Sequence, residues 1–297
     1  MLGNQNLPHK TSWALAGRRF PAGPARIIAL TGWLLGISGC AVLPDSQRLA
    51  TALGEYSYVV AGSGMPTIVM EAGLGDGKEN WGEIFTDVST MARTFAYDRA
   101  GYGASQKREE PRTGAQITAE LHALLEAAHL PPPYILVGHS LGGTYMELYA
   151  RTYAQEVAGV ILIDSRHADF SKRCTEAGAV ACEPPTFLTW LMPGAAHEEF
   201  EGAVETMQQV RAAGPFPPVP LVVITGMNKI LEGATFNQVW LDTQKQLADL
   251  SPLGRHVVCG HCGHYPQRDD PGLVVMSIKD VVAQTRDETL SKRPGVQ

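Results

Sequence analysis

Short apolar runs alternate with amphipathic stretches along most of this chain. Apolar runs of about four to eight residues, bounded by glycine or proline, are typical of buried strands. The sequence predicts seven such strands, at 56–60, 67–73, 94–101, 134–138, 158–165, 220–226 and 255–260. Between them, apolar residues recur at spacings of three and four, most clearly at 114–130, which predicts helices. The alternation indicates an α/β fold, with a mostly parallel central sheet covered by helices on both faces.

Residues 166–217 break this alternation. They contain several prolines and two cysteines, and no run within them is typical of a strand. We therefore predict a cap or lid inserted into an α/β core that consists of residues 54–165 and 218–290. In a parallel sheet, the loops at the carboxyl ends of the strands form the reactive edge. Polar residues that follow the predicted strands should therefore meet along one rim.

The first forty residues differ from the rest of the chain. They contain four basic residues and no acid, and they end in an apolar run of 13 residues at 27–39. That run is too short to span a bilayer as a helix but suits the core of a signal peptide. The sequence Ile-Ser-Gly-Cys that closes it resembles a bacterial lipoprotein signal, in which the cysteine, here Cys40, is lipidated and becomes the new N-terminus.

We therefore expect residues 1–40 to be a lipoprotein-like signal segment that is cleaved before Cys40, followed by a linker at 41–53. The mature protein would be exported to the cell envelope and held at the membrane by a lipid on Cys40, on the periplasmic side of the outer membrane in a Gram-negative host. A plain secretory signal or a loose membrane anchor is the alternative.

The charge of the mature chain bears on its partners. Removing residues 1–40 takes away four basic residues, which leaves 20 Lys and Arg against 30 Asp and Glu, or a net charge of −10. Such an acidic protein is not expected to bind nucleic acid. Four cysteines remain, and an oxidising compartment favours two disulfides, Cys174 with Cys182 and Cys259 with Cys262.

The predicted strand at 134–138 leads directly into a glycine-rich corner. The sequence at 138–142 is Gly-His-Ser-Leu-Gly, and a predicted helix follows it. A serine between glycines at a strand-to-helix turn fits the nucleophile elbow, since glycine removes the clashes that the tight turn would cause. The helix N-terminus offers free N–H groups and a positive dipole to a developing oxyanion. Ser140 is therefore a candidate nucleophile.

Four stretches, taken in order, resemble the α/β-hydrolase family of the lipase and esterase type. They are Glu-Ala-Gly-Leu-Gly-Asp-Gly-Lys-Glu-Asn-Trp at 71–81, Tyr-Asp-Arg-Ala-Gly-Tyr-Gly-Ala-Ser at 97–105, Leu-Val-Gly-His-Ser-Leu-Gly-Gly at 136–143 and the segment that begins with Gly-His at 263–275. The resemblance covers about residues 54–285 and implies a hydrolase with a Ser-acid-His triad. It also implies no cofactor and no metal.

A serine needs a base, and the resemblance places that base just after the last strand. His264 fits this position best, and His261 is the competitor. His139, next to the serine, is expected to point away from it and serve packing.

Two positions are candidates for the acid of the triad. Asp164 ends an apolar strand, where a buried carboxylate needs a partner such as the imidazole of His264. Glu232 lies in the loop where most of the family has its acid, but it comes late in that loop. A third interpretation is that Asp164 only caps the following loop. We favour Asp164.

The resemblance also implies an oxyanion hole. One backbone N–H should come from Leu141, after the nucleophile, and the other from Leu74, in the loop after the strand at 67–73. Glu71 departs from the family, because many relatives have a histidine there. Asp98 and Arg99 are interpreted as a structural pair that supports the rim.

The cluster of cysteines and histidines at 259–264 could instead bind zinc, but one such cluster is weak support, and an exported location favours a disulfide.

The functional hypothesis is therefore a serine hydrolase that cleaves small carboxylic esters with an apolar acyl group. Amidase, thioesterase and lactonase activities would use the same triad, and a non-catalytic surface binding protein of this fold is the rival from another class. Apolar side chains of the cap are expected to shape the acyl pocket: Phe187, Leu188, Trp190, Leu191 and Met192.

Overall fold

A computed structural model describes residues 43–179, 182–183, 189, 191–192, 194–229 and 233–291. The described residues form one sheet of eight strands, and all seven predicted strands are among them. The strands are β1 (Gln47–Thr51), β2 (Gly54–Ala61), β3 (Thr67–Glu71), β4 (Thr94–Tyr97), β5 (Tyr134–His139), β6 (Val157–Ile163), β7 (Leu221–Gly226) and β8 (Gly254–Cys259). Their order in the sheet is β1-β2-β4-β3-β5-β6-β7-β8. From β4 to β8 all neighbours are parallel, whereas β2 runs antiparallel to β4 and to β1.

Strand β1 lies within the segment that the sequence analysis treats as a linker. It forms a hairpin with β2, in which Gln47 lies opposite Tyr58 and Thr51 opposite Gly54. Most of its residues are exposed, because it is the edge strand of the sheet. Backbone hydrogen bonds hold such a strand whatever its side chains, so its sequence has no strong apolar alternation.

The helices lie between the strands as the alternation predicts. They are α1 (Gly82–Ser89), α2 (Gly114–Ala127), α3 (Leu141–Thr152), α4 (Phe170–Glu176), α5 (Gly194–Ala212), α6 (Gly233–Ala248), α7 (Pro266–Asp269) and α8 (Pro271–Ser291). Short 3-10 turns at Lys78–Trp81 and Ala154–Glu156 accompany α1 and α3. None of the helices in the described ranges has the length and apolar character to cross a bilayer.

Two apolar cores cover the two faces of the sheet. Successive residues of β5 point to opposite faces, so that Leu136 packs with α2 and α3, while Ile135 and Val137 pack with α1 and α8. Each fully buried aliphatic side chain of this kind stabilises the fold by about 1.5–3 kcal/mol. Because both faces are buried, the central strands are apolar throughout, and this is the pattern that identified them.

The predicted cap, 166–217, contains helices α4 and α5, and its described part has no strand. A disulfide joins Cys174 to Cys182, as expected. Several predictions fall outside the described residues: the signal at 1–40 with Cys40, the acid alternative Glu232, and the cap residues Phe187, Leu188 and Trp190.

Candidate active site

Ser140 occupies a sharp corner between β5 and α3. Its backbone has φ 53° and ψ −123°, a conformation that costs free energy in a residue other than glycine. The neighbouring glycines make the corner possible, since a Cβ on Gly138 would lie 2.6 Å from the Cα of Gly143. The N–H of Ser140 donates to the carbonyl of Ile163 at the end of β6 (3.0 Å). The local geometry is therefore that of the predicted elbow.

His264 lies in the loop between β8 and α7 and connects two of the predicted site residues. Its Nε2 lies 3.0 Å from Ser140 Oγ, and its Nδ1 lies 2.6 Å from Asp164 Oδ2. The imidazole is 42% exposed, whereas the Asp164 side chain has no exposed surface. The structure thus brings the three predicted side chains into one hydrogen-bonded chain, with the serine end open to the outside.

Asp164 directly follows β6, at φ 43°. Besides His264, three groups donate to its carboxylate: Lys229 Nζ at 2.6 Å, Trp240 Nε1 at 2.9 Å and the Gly226 N–H at 3.2 Å. Burial opposes the charged form of Asp164, but the His264 hydrogen bond and the Lys229 charge outweigh it and lower the pKa of this carboxyl. A charged acceptor for the imidazole N–H is therefore maintained in a buried place.

Lys229 was not predicted as a site residue. It is buried, it contacts the same carboxylate oxygen as His264, and its ammonium lies 4.9 Å from the centre of the Trp240 ring. The argument that a buried carboxylate needs a partner applies to cations as well. The requirement that a buried charge has a partner could have drawn attention to Lys229, which lies in the loop after β7, where the family's acid was expected.

The competing residues of the sequence analysis have other partners. His261 is largely exposed, and its Nε2 pairs with Asp270 Oδ2 at 3.2 Å. Cys259 and Cys262 are joined by a disulfide, as predicted. The zinc alternative would require both sulfurs as ligands, and here they are bonded to each other.

His139 packs beneath the site as expected, but it also makes a hydrogen bond. Burial lowers the pKa of His139 to about 3, so its imidazole is neutral. Nε2 lies 2.7 Å from the carbonyl oxygen of His264, and since a carbonyl only accepts, Nε2 is the donor. Its ring also contacts His264 and Tyr265, at centroid distances of 4.8 and 4.7 Å. The residue beside the elbow therefore holds the backbone of the candidate base.

The two predicted oxyanion donors lie beside Ser140. Leu141 is the first residue of α3, so its N–H has no acceptor within the helix. Leu74 follows β3, and both residues line the same cavity as Ser140. Arg99 holds the backbone before Leu74, since its guanidinium donates to the carbonyls of Ala72 (2.7 Å) and Gly73 (2.9 Å).

Asp98 and Arg99 do not pair with each other, which corrects the sequence interpretation. Asp98 accepts from Lys78 Nζ at 2.5 Å, and Arg99 binds Glu71 at 2.6 Å and Glu199 of α5 at 2.7 Å. Glu71, the departure from the family, is thus a buried partner of Arg99. Each of the two buried charges is therefore paired, but with partners from other parts of the chain and not with its neighbour.

The cavity at Ser140 has a volume of about 320 Å³. Its apolar wall comes from α5, Leu74 and Leu141; the α5 residues are Phe200, Ala203, Val204 and Met207. This differs from the expectation for Leu191 and Met192, because Leu191 is 77% exposed and Met192 packs near Tyr102. Three polar residues complete the lining: Arg166, Ser171 and Glu183.

Comparisons with known proteins agree with this architecture. A family model described as alpha/beta hydrolase fold matches residues 66–188. The protein YqjL of Bacillus subtilis (strain 168) is 30% identical over 223 residues, which are 74% of this chain and 85% of YqjL.

Two solved structures are similar in fold. A thermophilic esterase from Thermogutta terrifontis has a TM-score of 0.57 at 21% identity, over 82% of this chain and 99% of that one. The enol-lactonase from Burkholderia xenovorans LB400 has a TM-score of 0.59 at 20% identity, over 80% of this chain and 100% of that one. With the sheet order, the strand-to-helix elbow and the extended match to YqjL, these findings show that the chain belongs to the α/β-hydrolase family.

Proposed function

We propose that this protein is a serine hydrolase that cleaves carboxylic esters through an acyl-enzyme intermediate. The observation that carries the proposal is the continuous chain from the Ser140 hydroxyl through His264 to Asp164, with contacts of 3.0 and 2.6 Å. A hydroxyl is a weak nucleophile unless a base accepts its proton, and this chain supplies the base and the group that orients it.

The reaction follows from these contacts. His264 Nε2 accepts the hydroxyl proton while Ser140 Oγ attacks the acyl carbon. Asp164 holds the Nδ1–H tautomer and stabilises the imidazolium, and the N–H groups of Leu141 and Leu74 donate to the oxyanion. His264 then gives its proton to the leaving alkoxide. Water, activated by the same imidazole, releases the acyl group and restores the serine.

An ester is favoured over other acyl substrates by the lining of the cavity and by the related proteins. The largely apolar wall beside Ser140 suits an acyl chain, and one relative in fold is an esterase. Amidase, thioesterase and lactonase activities use the same residues, and another relative in fold is an enol-lactonase. Epoxide hydrolases and dehalogenases of this fold attack with a carboxylate, whereas this chain has Ser140 at the elbow. A non-catalytic binding protein usually lacks a triad member, and here all three candidates are present.

Two measurements test the proposal. A fluorophosphonate probe should label the wild type and the control variant Ser165→Ala, whose hydroxyl is buried beside the elbow, but not Ser140→Ala. Labelling of Ser140→Ala would contradict the assignment of the nucleophile. Turnover of p-nitrophenyl acetate, butyrate and longer esters then measures the depth of the acyl pocket, and absence of turnover for all of them would favour the binding-protein alternative.

Export and lipidation are proposed from the composition of residues 1–40. A fatty-acid label should be incorporated into the wild type expressed in a bacterial host, and the protein should sediment with the membrane fraction. Cys40→Ala should lose both properties. A wild-type protein that remains unlabelled would favour a plain secretory signal.

A further inference from the structure

The cavity beside Ser140 has walls of different character. Most of its lining is apolar, yet it also contains the charged residues Arg166 and Glu183 and the hydroxyl of Ser171. A pocket that binds only an alkyl chain has no use for a guanidinium, because burying a cation costs free energy unless it is paired. The presence of Arg166 in this wall therefore needs an explanation.

Arg166 is held in place relative to the nucleophile. Its N–H donates to the carbonyl of Ser140 at 3.3 Å, and its own carbonyl accepts from the Thr144 hydroxyl of α3 at 2.8 Å. The guanidinium carbon lies 5.5 Å from the centre of the Phe170 ring. The backbone of this arginine is thus part of the same corner that presents the serine.

The guanidinium has more donors than partners. Nη2 donates to Ser171 Oγ at 2.6 Å and to Glu183 Oε1 at 2.5 Å, whereas Nε and Nη1 have no partner among the residues that the structure describes. Burial lowers the pKa of Arg166, and Glu183 offsets this only in part. Arg99 differs, because Glu199 and Glu71 raise its pKa although burial opposes its charge. Arg166 is therefore a cation with too little counter-charge.

Glu183 is a replaceable partner. Its side chain is 49% exposed, while that of Arg166 is 24% exposed. The carboxylate of Glu183 is half exposed and can move into water at little cost once another carboxylate pairs with Arg166. A carboxylate delivered by a substrate could then bind the guanidinium through two parallel hydrogen bonds, which is the geometry that arginine favours.

We propose that the substrate of this site is an ester that carries a second, ionised carboxylate, and that Arg166 binds this carboxylate in place of Glu183. The inference rests on the proposed ester hydrolysis and defines its substrate class. The apolar wall contacts the carbon chain between the two groups, and Arg166 selects the charged end. The carboxylate belongs either to the acyl half or to the alcohol half of the ester.

Three substrates distinguish these cases with the purified full chain. They are p-nitrophenyl butyrate, which is neutral, p-nitrophenyl hydrogen glutarate, with its carboxylate on the acyl half, and 4-butanoyloxybenzoate, with its carboxylate on the alcohol half. The measured quantity is the ratio of kcat/KM for an anionic ester to kcat/KM for the neutral one. Arg166→Gln should lower this ratio about 10- to 100-fold for the ester whose carboxylate reaches the site, as expected when a charged hydrogen-bond donor is lost.

Two further variants sharpen the test. Glu183→Gln should raise the ratio, because it removes the competing carboxylate. Arg211→Gln, which removes the same charge from the exposed end of α5, should change the ratio less than about 2-fold, because solvent screens exposed charges.

An unchanged ratio for both anionic esters in Arg166→Gln overturns the inference, while hydrolysis of the neutral ester that requires Ser140 leaves the proposed function intact. Failure of the wild type to hydrolyse any of the three would instead defeat the proposed function. If Arg166→Gln does not fold, the ratio in Arg166→Lys and Glu183→Gln decides, and an unchanged ratio in both also overturns the inference.

Discussion

Asp164 and Glu71 are both fully buried carboxylates at the same edge of the sheet, yet their environments have opposite effects. Asp164 has Lys229 to itself and accepts several N–H groups, and these donors lower its pKa despite burial. Glu71 accepts from Tyr97 but shares Arg99 with Glu199, and burial raises its pKa. Burial alone thus does not decide the state of a carboxylate; the hydrogen bonds and cations available to each one decide it as well.

The two networks also differ in what they connect. The Asp164 network leads outward, since it ends on His264 and the open side of Ser140. The Arg99 network is closed, because the arginine is 1% exposed and joins Glu199 of α5 to the loop before Leu74. The first network lowers the pKa of Asp164 next to the candidate base, and the second joins the cap helix α5 to the loop before Leu74.

The largest expected difference between the networks concerns the rate of hydrolysis. Asp164→Asn should lower kcat about 10⁴-fold, because the imidazole loses the carboxylate that fixes its tautomer. Asparagine tolerates the positive φ at this position, so the fold should survive. Glu71→Gln makes the same chemical change in the other network and should alter kcat by less than about 10-fold. Similar losses in both variants, measured on p-nitrophenyl butyrate, would remove the distinction.

The Arg99 network is expected to matter most for stability. Arg99→Met leaves two buried carboxylates without their cation and should cost about 3–5 kcal/mol of unfolding free energy in urea. Its kcat/KM should fall as well, because the carbonyls of Ala72 and Gly73 lose their donor. Arg112→Met, which breaks the buried pair with Glu120, is the matched control. It should lose stability but keep kcat/KM, and an equal loss of kcat/KM would argue against a role of Arg99 in holding the loop.

Lys229 offers a smaller test of the Asp164 network. Lys229→Met should cost about 3 kcal/mol and lower kcat/KM, because Asp164 then relies on His264, Trp240 and Gly226 alone. Lys78→Met is its control, since Lys78 forms a buried pair with Asp98 and not with Asp164. We expect comparable shifts in the urea midpoint for both variants and a lower kcat/KM for Lys229→Met only. A normal kcat/KM in Lys229→Met would make Lys229 purely structural.

The smallest effect is a difference in pH dependence. Because the pKa of Asp164 is lowered from 3.8, its contribution to stability is present above that pH and is lost as the pH falls through the folded-state pKa. Because the pKa of Glu71 is raised from 4.5, the native state binds its proton more tightly, and stability falls as the pH rises from 4.5 through the folded-state pKa.

Urea unfolding from about pH 3 to about pH 8 checks these signs, with slopes of at most about 1.4 kcal/mol per pH unit for each group. Relative to wild type, Asp164→Asn should become less stable as the pH rises, whereas Glu71→Gln should become more stable. Parallel curves for the two variants would contradict the opposite pKa shifts.

Local pattern was enough to predict much of the molecule. The central strands are apolar because both faces of the sheet are covered, and the glycines around Ser140 are required by the corner itself. Asp164 could be favoured because a buried carboxylate needs a partner. These inferences depend on requirements that act within a few residues or on the chain order of a known motif.

What the sequence analysis missed depends on contacts between distant parts of the chain. The pair of Arg99 with Glu199 spans 100 residues, and that of Lys229 with Asp164 spans 65, and no spacing rule relates such positions. Strand β1 was not predicted because an exposed edge strand needs little apolar pattern in its sequence. Of the cap residues predicted to line the pocket, the two that the structure describes, Leu191 and Met192, lie elsewhere, because apolar composition alone does not say which side chains face a cavity.

The separation of Ser140 from His264 along the chain has a consequence during synthesis of the protein. Translation proceeds from the amino end at about 5–20 residues per second, so the 124 positions between them correspond to about 6–25 s of synthesis. During that interval the nascent chain contains Ser140 but not yet His264. The nascent chain therefore lacks the complete candidate triad until residue 264 has been added.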